Sequence, residues 1–125
     1  MILFGDPDCN AVLARIQDRL PIQCSREAIR TAGRQFPGAG IGAKFIYPNP
    51  LNPARYVAVS TGTHPEALYS LRIFHWQLPD LLIFGPEAMR VGEIPYHDEK
   101  PEHTKLLEGA YLAAGFFSET WQLEI

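Results

Sequence analysis

Three prolines within six residues, in Pro48-Asn49-Pro50-Leu51-Asn52-Pro53, constrain this chain more than any other feature of its sequence. Each proline removes a backbone donor and fixes φ at about −65°. A strand that runs into this segment is therefore expected to leave its ladder there. The flanking runs, Ala43-Lys44-Phe45-Ile46-Tyr47 and Tyr56-Val57-Ala58-Val59-Ser60, both read as strands. The second is almost continuously apolar, as a strand covered on both faces should be. The side chains of Asn49 and Asn52 can hydrogen-bond nearby backbone and hold a compact crossing between the two strands. That is a scaffold role and requires no ligand.

The rest of the chain reads as strands alternating with helices. Ile2-Leu3-Phe4 is a short apolar run closed by the turn Gly5-Asp6-Pro7. Asp6 is expected to cap the following helix with Pro7 at its first position, where a missing N–H costs nothing. Ala11, Val12, Leu13, Ile16 and Leu20 then recur at helical spacing until Pro21. Ile22-Gln23-Cys24 reads as a short strand, and Ile29 to Phe36 as either a hairpin through Ala32-Gly33 or an irregular connection. A helix is expected from about Glu66 to Trp76, with His75 on its apolar stripe. A strand follows at Leu81-Leu82-Ile83-Phe84, then a polar stretch over 97–105 and a short helix or turn over 106–114. Apolar strands separated by helical patterns indicate β-α-β units. The expected fold class is thus α/β: a single domain over 1–125 with a small mixed, mainly parallel sheet of three to five strands flanked by helices.

Composition narrows function by exclusion. In 125 residues, 46% are hydrophobic and 20% charged, which suits one globular domain with a real core and argues against disorder. The net charge of −3 argues against a nucleic-acid footprint or a polybasic membrane surface. No apolar run approaches the roughly 20 residues of a membrane span, and Met1-Ile2-Leu3-Phe4 lacks the parts of a secretory signal. A chain opening inside an apparent core strand suggests a domain excised from the C-terminal end of a larger protein, which leaves its cellular location open. Cys9 and Cys24 lie fifteen positions apart without a C-x-x-C motif. They read as two small buried hydrophobes or one disulfide.

The residues that could carry chemistry are few. Ser60 ends an apolar strand, followed by Thr61, Gly62 and His64, at the strand end where open α/β sheets place ligands. The first glycine of G-x-S-x-G is missing, and nothing designates a base held by a third group. Serine and threonine there also serve as ordinary turn or cap residues. His97, Asp98, Glu99, Glu102 and His103 contain metal-ligating types, but Pro101 interrupts them and helical H-E-x-x-H spacing is absent. They read as a solvated loop. Neither phosphate-loop nor dinucleotide glycine patterns occur, so no cofactor and no metal is expected. Trp76, Trp121, Tyr47 and Tyr56 could stack on sugar rings if exposed, or serve as core and edge packing.

Two segments carry a resemblance. Phe4-Gly5-Asp6-Pro7-Asp8-Cys9-Asn10 precedes an amphipathic helix, and Ile46-Tyr47-Pro48-Asn49-Pro50-Leu51-Asn52-Pro53-Ala54-Arg55-Tyr56-Val57-Ala58-Val59-Ser60-Thr61-Gly62 is the more specific of the two. With Gly115-Phe116-Phe117-Ser118-Glu119-Thr120-Trp121, the chain resembles, over nearly its whole length, the C-terminal region of bacterial α/β-hydrolase proteins. These are of the prolyl-oligopeptidase or esterase type common in planctomycetes. A looser likeness links it to surface-layer domains. The resemblance implies a secreted or periplasmic parent and a partner in the catalytic α/β-hydrolase domain of the same chain. The hydrolase triad belongs to that domain, so no catalytic residue carries over.

Two readings follow. The first is a non-catalytic accessory domain of a larger serine hydrolase, a peptidase or esterase, with an exposed apolar patch where its partner sits. The second is a small standalone hydrolase or ligand-binding protein that uses the strand ends. Its binding candidates are Asp6, Asn10, Ser60, Thr61 and His64.

Overall fold

The computed structural model describes residues 1–69, 79–88 and 110–124. Its central element is a hairpin. β5 (Gly42–Asn49) and β6 (Asn52–Gly62) pair antiparallel from Gly42↔Gly62 to Pro48↔Tyr56 and close on Asn49↔Asn52. The proline segment therefore turns the chain back on itself instead of ending the ladder. Pro53-Ala54-Arg55 has no partner on β5 and forms a bulge, one of the places where a sheet accepts proline. Pro50-Leu51 makes the turn. Asn49 Oδ1 accepts from the Leu51 N–H at 2.9 Å and Asn52 Oδ1 from the Ala54 N–H at 3.3 Å, the local bonds expected of these asparagines.

β1 (Ile2–Phe4) lies parallel to β6, with Leu3 opposite Val59. β7 (Leu81–Phe84) pairs antiparallel with β5, β8 (Tyr111–Phe117) with β7, and β9 (Leu123–Glu124) with β8. Among the described residues the sheet order is β1-β6-β5-β7-β8-β9, and β1–β6 is the parallel pair. A second, antiparallel sheet comprises β2 (Gln23–Cys24), β3 (Ala28–Thr31) and β4 (Arg34–Pro37). Ala32 and Gly33, at φ 47° and 73°, supply the left-handed pair that a two-residue β3–β4 hairpin turn demands.

The α/β expectation, a mainly parallel sheet flanked by helices, is therefore overturned. Among the described residues the fold is mostly β, with two short helices, α1 (Ala11–Ile16) and α2 (Pro65–Tyr69). Three local features account for the difference. Pro50-Leu51 is a hairpin turn, so β5 and β6 run antiparallel. Residues between α1 and β5 form a small sheet of their own. Tyr111–Ala114 belongs to a strand, not to a helix over 106–114, because its backbone completes the outer edge of β7. Residues 106–109 of that segment, residues 70–76 of the expected helix, and the polar stretch over 97–105 lie outside the described residues.

The two faces of the large sheet differ. Leu3, Val57, Val59, Phe45, Ala43, Leu81 and Ile83 point to one side. There they meet Leu13, Ile16 and Leu20 from α1 and the 3₁₀ turn Gln17–Arg19, together with Ile22, Cys24 and Ile29 from the small sheet. The opposite face is covered at one end by a smaller cluster of Ala67, Leu82, Phe84, Ala88 and Ala110. Gly42 and Gly62 make that covering fit. A Cβ at Gly42 would lie 2.2 Å from Phe84 Cζ, and one at Gly62 2.6 Å from Ala67 Cβ.

Gly42→Ala is expected to lower stability by about 1–3 kcal/mol, because the fully buried Phe84 ring has no room to retreat. Asn49→Ala should cost about 1–2 kcal/mol through the lost turn bond. Urea denaturation of each variant against the parent chain checks both values.

Candidate functional site

Asp6 and Asn10 are engaged in building the turn between β1 and α1. Asp6 Oδ1 accepts from the N–H groups of Asp8 at 2.7 Å and Cys9 at 3.0 Å. The helix cap is Asn10, not Asp6, and the helix begins at Ala11, after the turn that holds Pro7. Asn10 Oδ1 accepts from Val12 N and Leu13 N, while its Nδ2 donates to the Phe4 carbonyl at 3.0 Å. One side chain thereby caps the helix and ties it to the end of β1.

Ser60 and Thr61 are buried on opposite faces of β6, as strand alternation requires. Thr61 faces the main core with Ala43, its register partner on β5. Thr61 Oγ1 has no hydrogen-bond partner, and its polar neighbour is the Cys24 sulfur, a weak acceptor. Burial pushes the Cys24 thiol up. The Thr61 hydroxyl lowers it in part, Asp6 raises it, and the Gly62 N–H lowers it again. Cys9 is exposed, and both cysteines are free thiols.

His64 lies at the start of α2, with Nδ1 3.4 Å from Thr63 Oγ1. That hydroxyl is already used: it accepts from Ile41 N at 3.2 Å and donates to the Gly38 carbonyl at 2.9 Å. Among the described residues no hydrogen bond joins Ser60 to His64 or His64 to Asp6. The five sequence-chosen residues therefore divide among a helix cap, a turn, the two faces of one strand and a loop.

Ser60 instead reaches the second face of the sheet, where a groove of about 460 Å³ lies between β1, β6, β5 and the start of β7. Ile2, Phe4, Ile46, Ala58 and Pro79 supply its apolar walls, with Lys44, Ser60 and Asp80 as its polar residues. One register row runs Ile2↔Ala58↔Ile46. Across Asp80, whose carbonyl accepts from Ile46 N at 3.0 Å, β8 presents Phe116. Ile2 is 68% exposed, Phe4 62%, Phe116 61% and Ile46 37%. Sequence reading missed this face, because Ile2-Leu3-Phe4 is apolar throughout and does not reveal which of its residues is buried.

A second concentration of side chains lies at the β8–β9 connection. The Trp121 N–H donates to the Ser118 carbonyl and the Ser118 N–H to the Gln122 carbonyl, both at 2.9 Å. Trp121 has φ 61°. This is a tight turn followed by a left-handed bulge residue, a position that favours glycine or asparagine. Tryptophan there stores about 1–3 kcal/mol of backbone strain. Its ring meets Phe117 at 5.6 Å, Tyr47 at 5.7 Å and Tyr56 at 5.5 Å between centroids. Trp76, His75 and the 97–103 cluster lie outside the described residues.

Comparison with family models, curated proteins and solved structures gives no match to this chain.

Native protein is expected to expose one thiol to a disulfide reagent at neutral pH, that of Cys9, and two once unfolded. A raised folded pKa means that the unfolded Cys24 thiol ionises first. Its contribution to stability is then complete below about pH 8.5 and declines as pH rises toward the folded value. Denaturation midpoints measured across that range should show the decline, and Cys24→Ala should remove it. Thr61→Val should hold or raise stability by about 1 kcal/mol in the same assay, since the lost hydroxyl has no sound bond to break.

Proposed function

We propose that this chain is a non-catalytic accessory domain of a larger serine hydrolase, a peptidase or esterase, and that it packs through the open part of its second sheet face. The observation that carries the reading is the row Ile2–Ala58–Ile46 with Phe4 and Phe116 beside it, large apolar side chains left in water on a sheet whose other face is buried. Contiguous exposed apolar surface of this kind marks contact with another protein surface. The sequence resemblance supplies the identity of the partner, a catalytic α/β-hydrolase domain in the same parent chain. The use of Asp6 and Asn10 as turn and cap residues favours a scaffold role over a reacting site at those positions. Among the described residues no helix is long and apolar enough to cross a membrane.

The test begins with the coding DNA upstream of Met1. An open frame running into a domain with a G-x-S-x-G turn is expected, and the long product is then labelled with photogenerated carbenes beside the 125-residue chain. Ile2, Phe4 and Phe116 should be protected in the long product. An in-frame stop before any such domain, or equal labelling in the two proteins, would overturn the reading. The 125-residue chain should also hydrolyse p-nitrophenyl acetate no faster than the blank. Turnover abolished by Ser60→Ala would count against an accessory role.

A further inference from the structure

We propose that Tyr56 and Trp121, backed by Tyr47, form a stacking platform for a pyranose ring of a neutral glycan. The inference is independent of the accessory-domain reading, since it rests on other side chains and on the β8–β9 turn.

Three observations support it. The first is the unused polar chemistry of the cluster. Tyr47 Oη, Tyr56 Oη and Trp121 Nε1 make no hydrogen bond among the described residues, yet none is a buried unsatisfied group. Each therefore reaches solvent. One aromatic cluster thus carries three hydrogen-bonding groups without a protein partner, which suits a ligand with an apolar C–H face and hydroxyls around its rim.

The second is ring geometry. Trp121 contacts Tyr47 at 75° and Tyr56 at 50° between ring planes, with centroids 5.7 and 5.5 Å apart. Rings in mutual contact leave no slot between them into which a proline ring could insert. The open ring is that of Tyr56, which is 56% exposed, while Tyr47 and Trp121 are half-buried beside it. An exposed ring face with no slot beside it suits stacking by a sugar better than gripping of a proline-rich peptide.

The third is the backbone of Trp121. Its φ of 61° puts a bulky side chain where glycine is favoured. The turn is over-determined by Ser118, whose Oγ accepts from the N–H groups of Thr120 at 3.3 Å and Gln122 at 3.1 Å. Strain held in place by such support is a feature of ligand-contacting residues.

The experiment follows the indole N–H resonances of the ¹⁵N-labelled chain. There are two tryptophans, and Trp121→Phe assigns the signals. Cellohexaose, maltohexaose and chitohexaose are titrated separately, with decaproline as the competing ligand class. At least one sugar is expected to shift the Trp121 signal saturably and leave that of Trp76 in place. Tyr56→Ala should weaken that binding about tenfold, whereas Tyr56→Phe should weaken it no more than about threefold. Tyr56→Leu keeps apolar bulk without a ring; it should match Tyr56→Ala, and it serves in its place if the alanine variant loses its dispersed spectrum. No saturable shift with any of the three sugars at about 10 mM overturns the proposal. So does a shift with decaproline alone, or sugar binding unchanged by loss of the Tyr56 ring.

Discussion

Everything in the large sheet is registered on the hairpin closed by Asn49-Pro50-Leu51-Asn52. β1 adds to β6 and β7 adds to β5, so the pairing chosen at that turn is transmitted outward to both edges. Side chains alternate with a period of two. A slip of one residue would exchange Val57 and Val59 for Ala58 and Ser60 on the core side. Several contacts resist it. Asn49, itself buried, binds the turn backbone, and Arg19 donates through Nη2 to the Pro50 carbonyl from the far end of the first helical segment. At the other end of the hairpin, the Thr63 N–H and hydroxyl bind the backbone of Ile41 and Gly38.

This pinning explains why the two faces differ in use. The side holding Val57, Val59 and Phe45 is closed by α1 and the small sheet. Among the described residues, the other is closed where Gly42 and Gly62 let Phe84 and Ala67 approach the backbone. Beyond those glycines the strands carry Lys44, Ile46 and Ala58, and the sheet opens into the groove. Asp80 marks its limit. Its carbonyl binds Ile46 N and its Oδ2 accepts from Phe117 N at 3.0 Å, joining β5 to β8 just before β7 begins. The same junction brings Phe117 beside Tyr47, with centroids 5.4 Å apart, and so seats the aromatic cluster. The open face and the aromatic platform are thus two consequences of where β7 starts.

Much of the local structure was legible from the residues. The strand cores at 2–4, 43–47, 56–60 and 81–84, the end of the first helical segment before Pro21 and the backbone-binding asparagines all follow from short-range chemistry. The candidate site was less so. Asp6, Asn10, Ser60, Thr61 and His64 were drawn from strand ends on the assumption of parallel strands. β1 and β6, which supply them, do run parallel, but Asp6 and Asn10 build a turn and a helix cap, and Ser60 and Thr61 face opposite sides of β6. The open face was hidden for a simpler reason: an all-apolar tripeptide such as Ile2-Leu3-Phe4 does not say which side will be covered.

By itself the sequence determined where the backbone could not continue as regular structure, which runs could be strands, and that a chain of this size and charge would enclose a core. Those properties depend on φ restriction, side-chain branching and apolar content, all of them local or additive. Strand direction, the division of β6 between two faces and the convergence of Tyr47, Tyr56, Phe117 and Trp121 were decided only in the tertiary structure. Each depends on pairing between residues far apart in the chain. The same Asn-Pro-Leu-Asn chemistry serves a crossover or a hairpin until the register of its two strands selects one.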